Sequence, residues 1–162
     1  MENKYYKPTI EEFHVGFEFY HKEIKYTTTA IDSSRKNNGV LASPVGSKKR
    51  VEFRKELGTF DSIRVKHLNK EDIESFGFNH VGDNLNGTMP VYLTSVTTIN
   101  HNFPTRLMSN DTTTWELSNV DKDVEGSDKY ILFRGTIKNK SELKRILTQV
   151  GVLNSSHNSF GS

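Results

Sequence analysis

Polar and apolar positions alternate along much of this chain, so strands are the first expectation. Val15, Phe17 and Phe19 alternate with Gly16, Glu18 and Tyr20, the pattern of a half-buried strand, and Ile24–Thr29 has strand composition. His21, Lys22 and Glu23 between them suit a hairpin turn. Val51 and Phe53 oppose Arg50, Glu52 and Arg54, and Ile63 and Val65 oppose Arg64 and Lys66. With Gly58, Thr59, Phe60 and Asp61 between them, these two segments are expected to pair as a hairpin. Val91–Ile99 and Thr112–Leu117 read as further strands, and Tyr130–Ile137 as the strongest strand of the chain. Gly82-Asp83 and Asn86-Gly87 read as turns, and His101–Ser109, which contains Pro104, as a connection.

Helical signals are few and short. Thr9 and Glu12 have capping-box spacing behind Pro8, so a helical turn is expected near Thr9–Phe13. Asn69 is a good N-cap for a helix that Gly77 ends, with Glu71 and Asp72 at its positive end. Asn139, Lys140, Ser141 and Glu142 repeat that grammar, and the same capping physics explains the echo better than an internal duplication. Leu143, Ile146, Leu147 and Val150 then recur at helical spacing and form one apolar face.

The segment 31–49 changes character. Ser, Asn, Gly and Lys dominate it, and it reads as a long mobile loop with a brief apolar touch-down at Val40-Leu41. Asp121–Lys129 reads as a charged loop, and Asn154–Ser162 as a flexible tail. The expected fold is α+β: a single mainly antiparallel sheet of about six to eight strands with two short helices. The C-terminal helix is expected to pack on the sheet through Leu143, Ile146, Leu147 and Val150. Phe17, Phe19, Val51, Phe53, Ile63, Val65, Trp115, Leu132 and Phe133 are the expected core. A length of 162 residues points to one domain over residues 1–153.

Composition narrows the class of function. Hydrophobic residues make up only 33% and the mean hydropathy is −0.64, but ten Phe, six Tyr and one Trp argue against a disordered chain. The absence of Cys excludes disulfides, a thiol nucleophile and Cys-ligated metal sites. No apolar run reaches the roughly 18 residues of a membrane helix, and the N-terminus lacks a signal-peptide stretch, so a soluble, cytoplasmic protein is expected.

The net charge of +2 is too small to argue for nucleic acid, but its distribution is uneven. Between Arg35 and Lys70 ten basic residues face three acidic ones, a local +7 that leaves −5 elsewhere. If the expected hairpin forms, Arg50, Arg54, Arg64 and Lys66 share one exposed sheet face beneath the 31–49 loop, with Lys48 and Lys49 on that loop. Such a face is the candidate anion site.

No catalytic constellation is present. The six His residues show neither HxH nor HExxH spacing, no GxSxG surrounds a Ser, and no phosphate-binding glycine loop joins a strand to a helix. The expectation is a protein with no catalytic residues, no metal and no cofactor. Phe53 should face the core, leaving Phe60 as the residue able to stack on a base, so nucleic-acid binding is the weaker reading.

Three blocks carry a resemblance. Tyr6–Phe19 (YKPTIEEFHVGFEF), Ile63–Phe78 (IRVKHLNKEDIESFGF) and Leu132–Leu143 (LFRGTIKNKSEL) together resemble a family of small proteins of Bacteroidota and their phages, in the family's order. They cover about a quarter of the chain. Where relatives often carry a Trp-Ile-Lys-like strand after the first block, this chain has Glu23-Ile24-Lys25, and segments 31–49 and 79–129 fall outside the resemblance. The family has no established function and brings no catalytic residues. What the resemblance implies is a compact accessory protein, phage-encoded and placed in the bacterial host cytoplasm or the virion. Two roles follow. The first is protein–protein interaction or assembly with a host or phage protein or with a second copy; the second is sequestration of a phosphate-bearing small molecule such as a nucleotide signal.

Overall fold

The computed structural model describes residues 4–32, 39–83, 87–98, 101–111, 113–119 and 130–153, without the side chains of 95–98 and 101–103. Among these residues the fold is mainly antiparallel β with two α-helices, an α+β arrangement. The expected single sheet is two, one of six strands and one of five. The chain divides into two compact units, Met1–His67 and Leu68–Ser162, each with a hydrophobic core.

The first unit contains β1 (Tyr5–Tyr6), a 3-10 turn (Ile10–Glu12), β2 (Glu18–His21), β3 (Ile24–Asp32), β4 (Gly39–Pro44), β5 (Val51–Arg54), a second 3-10 turn (Thr59–Ser62) and β6 (Ile63–Lys66). Strand order is β1-β6-β2-β3-β4-β5. The first 3-10 turn begins where the capping signal placed it: the Thr9 N–H donates to Glu12 Oε1 at 3.1 Å, and the Tyr6 hydroxyl to Glu12 Oε2 at 2.7 Å. A 67-residue stretch builds a core of its own because it supplies ten buried apolar residues, six of them aromatic. Phe19 lies edge-on to Phe53 at 5.1 Å and stacks on Tyr26 at 5.6 Å, while Phe13 meets Phe17 at 4.8 Å and Phe60 at 5.1 Å.

Three expectations change here. Segment 31–49 is not one long loop: β3 runs on to Asp32, and Gly39–Pro44 pairs with it as β4, burying Val40 and Ala42. β4 itself is short, with only Val40 and Ala42 buried beside Leu41 and Ser43, and the Asn-, Ser- and Lys-rich residues around it hide that alternation in the sequence. The tip, 33–38, lies outside the described residues. Val15 is 67% exposed in a turn at Gly16 (φ +88°), so the strand alternation begins only at Phe17. Most consequentially, β5 and β6 do not form a hairpin. β5 pairs with β4 and β6 with β2, so three strands stand between them.

The connection explains how. Thr59 Oγ1 accepts the Arg54 N–H at 2.9 Å and donates to the Arg54 carbonyl at 3.0 Å, fixing the start of the 3-10 turn against the end of β5. Four 3-10 residues advance only about 8 Å, whereas five flat strands would hold β5 and β6 about 19 Å apart. The sheet therefore curls around the aromatic core. Phe60, read from the sequence as a residue free to stack on a base, is buried inside that curl.

The expected hairpin forms, but His21 is the last residue of β2, paired with Ile24, and only Lys22 and Glu23 make the loop. Both have positive φ, 47° and 63°, the type I′ geometry that Asn-Gly adopts most readily. Left-handed backbone costs an L-residue about 1 kcal/mol or more. Replacing the pair as Lys22→Asn/Glu23→Gly should therefore raise stability by about 0.5–1 kcal/mol after the loss of one exposed ion pair. A thermal melt checks it: the midpoint rises by a few degrees, and a fall would mean the turn is not strained.

The second unit contains α1 (Lys70–Glu74), β7 (Asn79–Asp83), β8 (Pro90–Thr98), β9 (His101–Ser109), β10 (Thr114–Asn119), β11 (Ile131–Thr136) and α2 (Lys140–Gln149). Strand order is β11-β10-β9-β8-β7. Both helices start as read: Asn69 Oδ1 accepts the Asp72 N–H and Asn139 Oδ1 the Glu142 N–H, each at 3.0 Å. The Leu68 N–H donates to the Lys138 carbonyl at 2.7 Å, joining the residues just before the two caps. Leu143, Ile146 and Leu147 belong to one buried cluster with Ile73, Tyr92, Leu107, Trp115 and Leu117. Of the residues expected in the core, Val51, Leu132 and Phe133 are only partly buried, packed against the cluster of their own unit.

His101–Ser109, expected as a connection because of Pro104, is the central strand of this sheet. Proline is tolerated because the ladder leaves room for its missing N–H. The pairing with β10 starts only at Thr105, one residue after Pro104, and on the other side Pro104 pairs with Thr97 next to a register shift in β8 between Thr94 and Thr97. Gly82-Asp83, expected as a turn, is the end of β7, where a register shift and φ +135° at Gly82 bend the strand. Asn86, Asp121–Lys129 and the tail Asn154–Ser162 lie outside the described residues.

Candidate functional site

The six basic residues singled out from the sequence fall into two groups. Lys48, Lys49 and Arg50 are exposed ahead of β5, and Arg54 ends that strand. Arg54 Nη2 lies 2.7 Å from Glu52 Oε1, and the hydrogen bond and charge of Glu52 hold its guanidinium pKa above the ordinary value. Arg64 and Lys66 stand on β6, beyond β4, β3 and β2. Arg54, Arg64 and Lys66 alternate with buried Phe53, Ile63 and Val65, so all three are on the outward side of the sheet. Alternation assigned the face correctly. It was the assumed hairpin that placed the two groups side by side, and no loop of residues 39–44 roofs them, because that segment is a strand.

Arg64 and Lys66 have other neighbours. Tyr5 pairs with Lys66 across β1–β6, and Tyr20 pairs with Arg64 on one side and Lys25 on the other. The Tyr5 and Tyr20 rings meet edge-on with centroids 5.6 Å apart. The Arg64 guanidinium carbon lies 5.8 Å and Lys4 Nζ 5.7 Å from the Tyr5 centroid. Two carboxylates border the group: Glu23 Oε1 is 2.6 Å from Arg64 Nη2, and Glu18 Oε2 is 2.8 Å from Lys25 Nζ. Neither tyrosine stands out in the sequence: alternation marks Tyr20 only as the outward side of its strand, and the two-residue strand that holds Tyr5 has no periodicity.

A second cluster went unread. Glu116, in the middle of β10, is only 2% exposed. Arg134, directly across from it on β11, reaches Glu116 Oε2 with Nη2 at 2.6 Å and Nε at 3.2 Å, and Arg106 of β9 lies 3.7 Å from Oε1. With a guanidinium group beside each oxygen, this carboxylate is suited to holding three strands in register.

The sheet edges differ. β1 has two residues, the last residue of β5 is engaged by Thr59, and β7 is bent at Gly82. β11 runs regularly from Phe133 to Thr136, with Ile131 at its start 45% exposed and Tyr130 before it 62% exposed. The Ile137 N–H donates to the Thr113 carbonyl at 3.0 Å. Alternation then turns the N–H and C=O of Arg134 and Thr136 away from β10. Among the described residues no strand pairs with that side.

Among the described residues no three His, Asp or Glu side chains gather as a metal site, and no helix is long and apolar enough to cross a membrane. No protein-family model, no curated protein and no solved structure matches this chain.

Proposed function

We propose that the chain is a small non-enzymatic accessory protein, of phage type, that acts by protein–protein interaction or assembly, with the partner adding an extended strand to β11. The open edge of β11, regular from Phe133 to Thr136, carries this reading: main-chain groups that face outward from an edge strand are a template for another strand. Exposed Tyr130 and Ile131 extend the same segment with apolar surface. The accessory role is inferred from the resemblance of the three sequence blocks to the Bacteroidota and phage family.

Thr136→Pro tests it. Proline there removes a donor that faces the incoming strand and leaves the bonds to β10 in place. The wild-type chain is expected to form a stoichiometric complex in native mass spectrometry, with a second copy or with a co-purified polypeptide. Hydrogen exchange should then slow at the Arg134 and Thr136 amides. Thr136→Pro, verified as folded by the emission of buried Trp115, should weaken the complex at least tenfold. A complex that survives the substitution unchanged, or a chain that stays monomeric and alone at every concentration, rejects strand addition at β11.

A further inference from the structure

The outward side of the β1-β6-β2-β3 strands departs from the rest of the first unit in one respect: it carries aromatic rings beside cations. Phe13, Phe17, Phe19, Tyr26, Phe53 and Phe60 are all buried in the core, and Tyr6 packs against it. Tyr5 and Tyr20 instead stand partly buried on the outward side of the sheet. Lys4, Lys25, Arg64 and Lys66 surround them, four cations against the two carboxylates Glu18 and Glu23. Register sets the rings and cations alternately: Tyr5 opposite Lys66, then Arg64 opposite Tyr20, then Tyr20 opposite Lys25.

We propose that this face binds a single strand of nucleic acid, with bases stacked on Tyr5 and Tyr20 and phosphates held by Arg64, Lys66 and Lys4. Sheet-borne aromatic rings are sequence-tolerant stacking platforms, and cations beside them track the backbone. A Lys or Arg cluster without rings would hold phosphate but not a base, and rings without cations would not retain a charged strand. Both are present within one patch. Glu23 is 85% exposed in its side chain, so it yields Arg64 to a phosphate at little cost. This inference is independent of the β11 reading, which rests on the second unit.

Fluorescence anisotropy with a labelled 15-nucleotide oligothymidine at low salt is the test, with ATP as competitor. Tyr5→Leu and Tyr20→Leu should each weaken binding about tenfold, the loss of one stacked base. Arg64→Ala should reduce the slope of log affinity against log salt by about 0.7, one phosphate contact on a single strand. Glu23→Gln should tighten binding, since it removes a competing carboxylate. Arg50→Ala, ahead of β5 and at the end of that strand away from the 3-10 turn leading to β6, should change nothing. The proposal fails if the oligonucleotide does not bind, if the tyrosine variants bind as well as wild type, or if Arg50 matters as much as Arg64. Competition by ATP at the oligonucleotide's own affinity would assign the face to a free nucleotide and overturn the strand.

Discussion

Phe53→Ala is expected to cost the first unit about 3–5 kcal/mol, the range for removing a fully buried aromatic side chain. Phe53 is 1% exposed and its ring is held by Phe19 and Tyr26 at 5.1 Å and by His21 at 5.2 Å. The backbone around it has little freedom to close the hole. Val40 pairs with Phe53 across β4, and the next residue, Arg54, is bonded through both N–H and C=O to Thr59. Net stabilities of small domains lie near the low end of about 5–15 kcal/mol, so most of the unit's stability would go. Denaturant unfolding with hydrogen exchange read at the β2–β6 amides measures it: protection in those strands should nearly vanish. Phe53→Leu, which keeps most of the volume, should cost about 1.5 kcal/mol or less. A loss under 1 kcal/mol for the alanine variant would show that the curled sheet is not closed around this ring.

Arg134→Met should cost the second unit about 3 kcal/mol, although the Arg134 side chain is 58% exposed and an exposed arginine ordinarily contributes little. The reason is its partner. Glu116 has 3% side-chain exposure, and losing Arg134 takes from this buried carboxylate its guanidinium partner at 2.6 Å, with Arg106 farther off at 3.7 Å. Breaking a buried pair from one side costs more than replacing both partners, because the remaining charge is desolvated and uncompensated. The double variant Glu116→Leu/Arg134→Met should therefore recover most of the loss. Trp115, the single tryptophan, lies buried in this unit beside Glu116, so its emission during urea unfolding reads the effect directly. If Arg134→Met behaves like any surface substitution, the three-residue bridge does not set the register of β9, β10 and β11.

Local signals in the sequence were read well where they depended on adjacent residues alone. The caps at Thr9, Asn69 and Asn139, a hairpin turn within His21–Glu23 (formed by Lys22 and Glu23) and a strand within Tyr130–Ile137 (formed by Ile131–Thr136) each follow from side chains within one turn or one strand. Reading failed where a rule about composition met a tertiary exception. Pro104 demoted a central strand, because a bulge in its neighbour cannot be seen from the strand itself. Asn, Ser and Lys disguised β4, whose inward residues Val40 and Ala42 are too few to announce a period.

The candidate site shows the same division. Alternation in each strand determined that Arg54, Arg64 and Lys66 face outward, since consecutive side chains must point to opposite sides. Pairing decided which of them are neighbours, and pairing depends on which edges a connection can reach. Between Arg54 and Ile63 the chain spends its residues on a tight turn and a 3-10 turn rather than a hairpin, so β6 is carried past three strands to β2. That placed Arg64 and Lys66 beside Tyr5 and Tyr20 and left Arg50 and Arg54 at the opposite edge. The sequence by itself determined a β-rich α+β chain, its helix caps and the side each charge occupies, because those follow from local geometry. Only the tertiary structure decided that there are two sheets, which cations stand beside rings and which edge is open, because these depend on contacts between residues far apart in the chain.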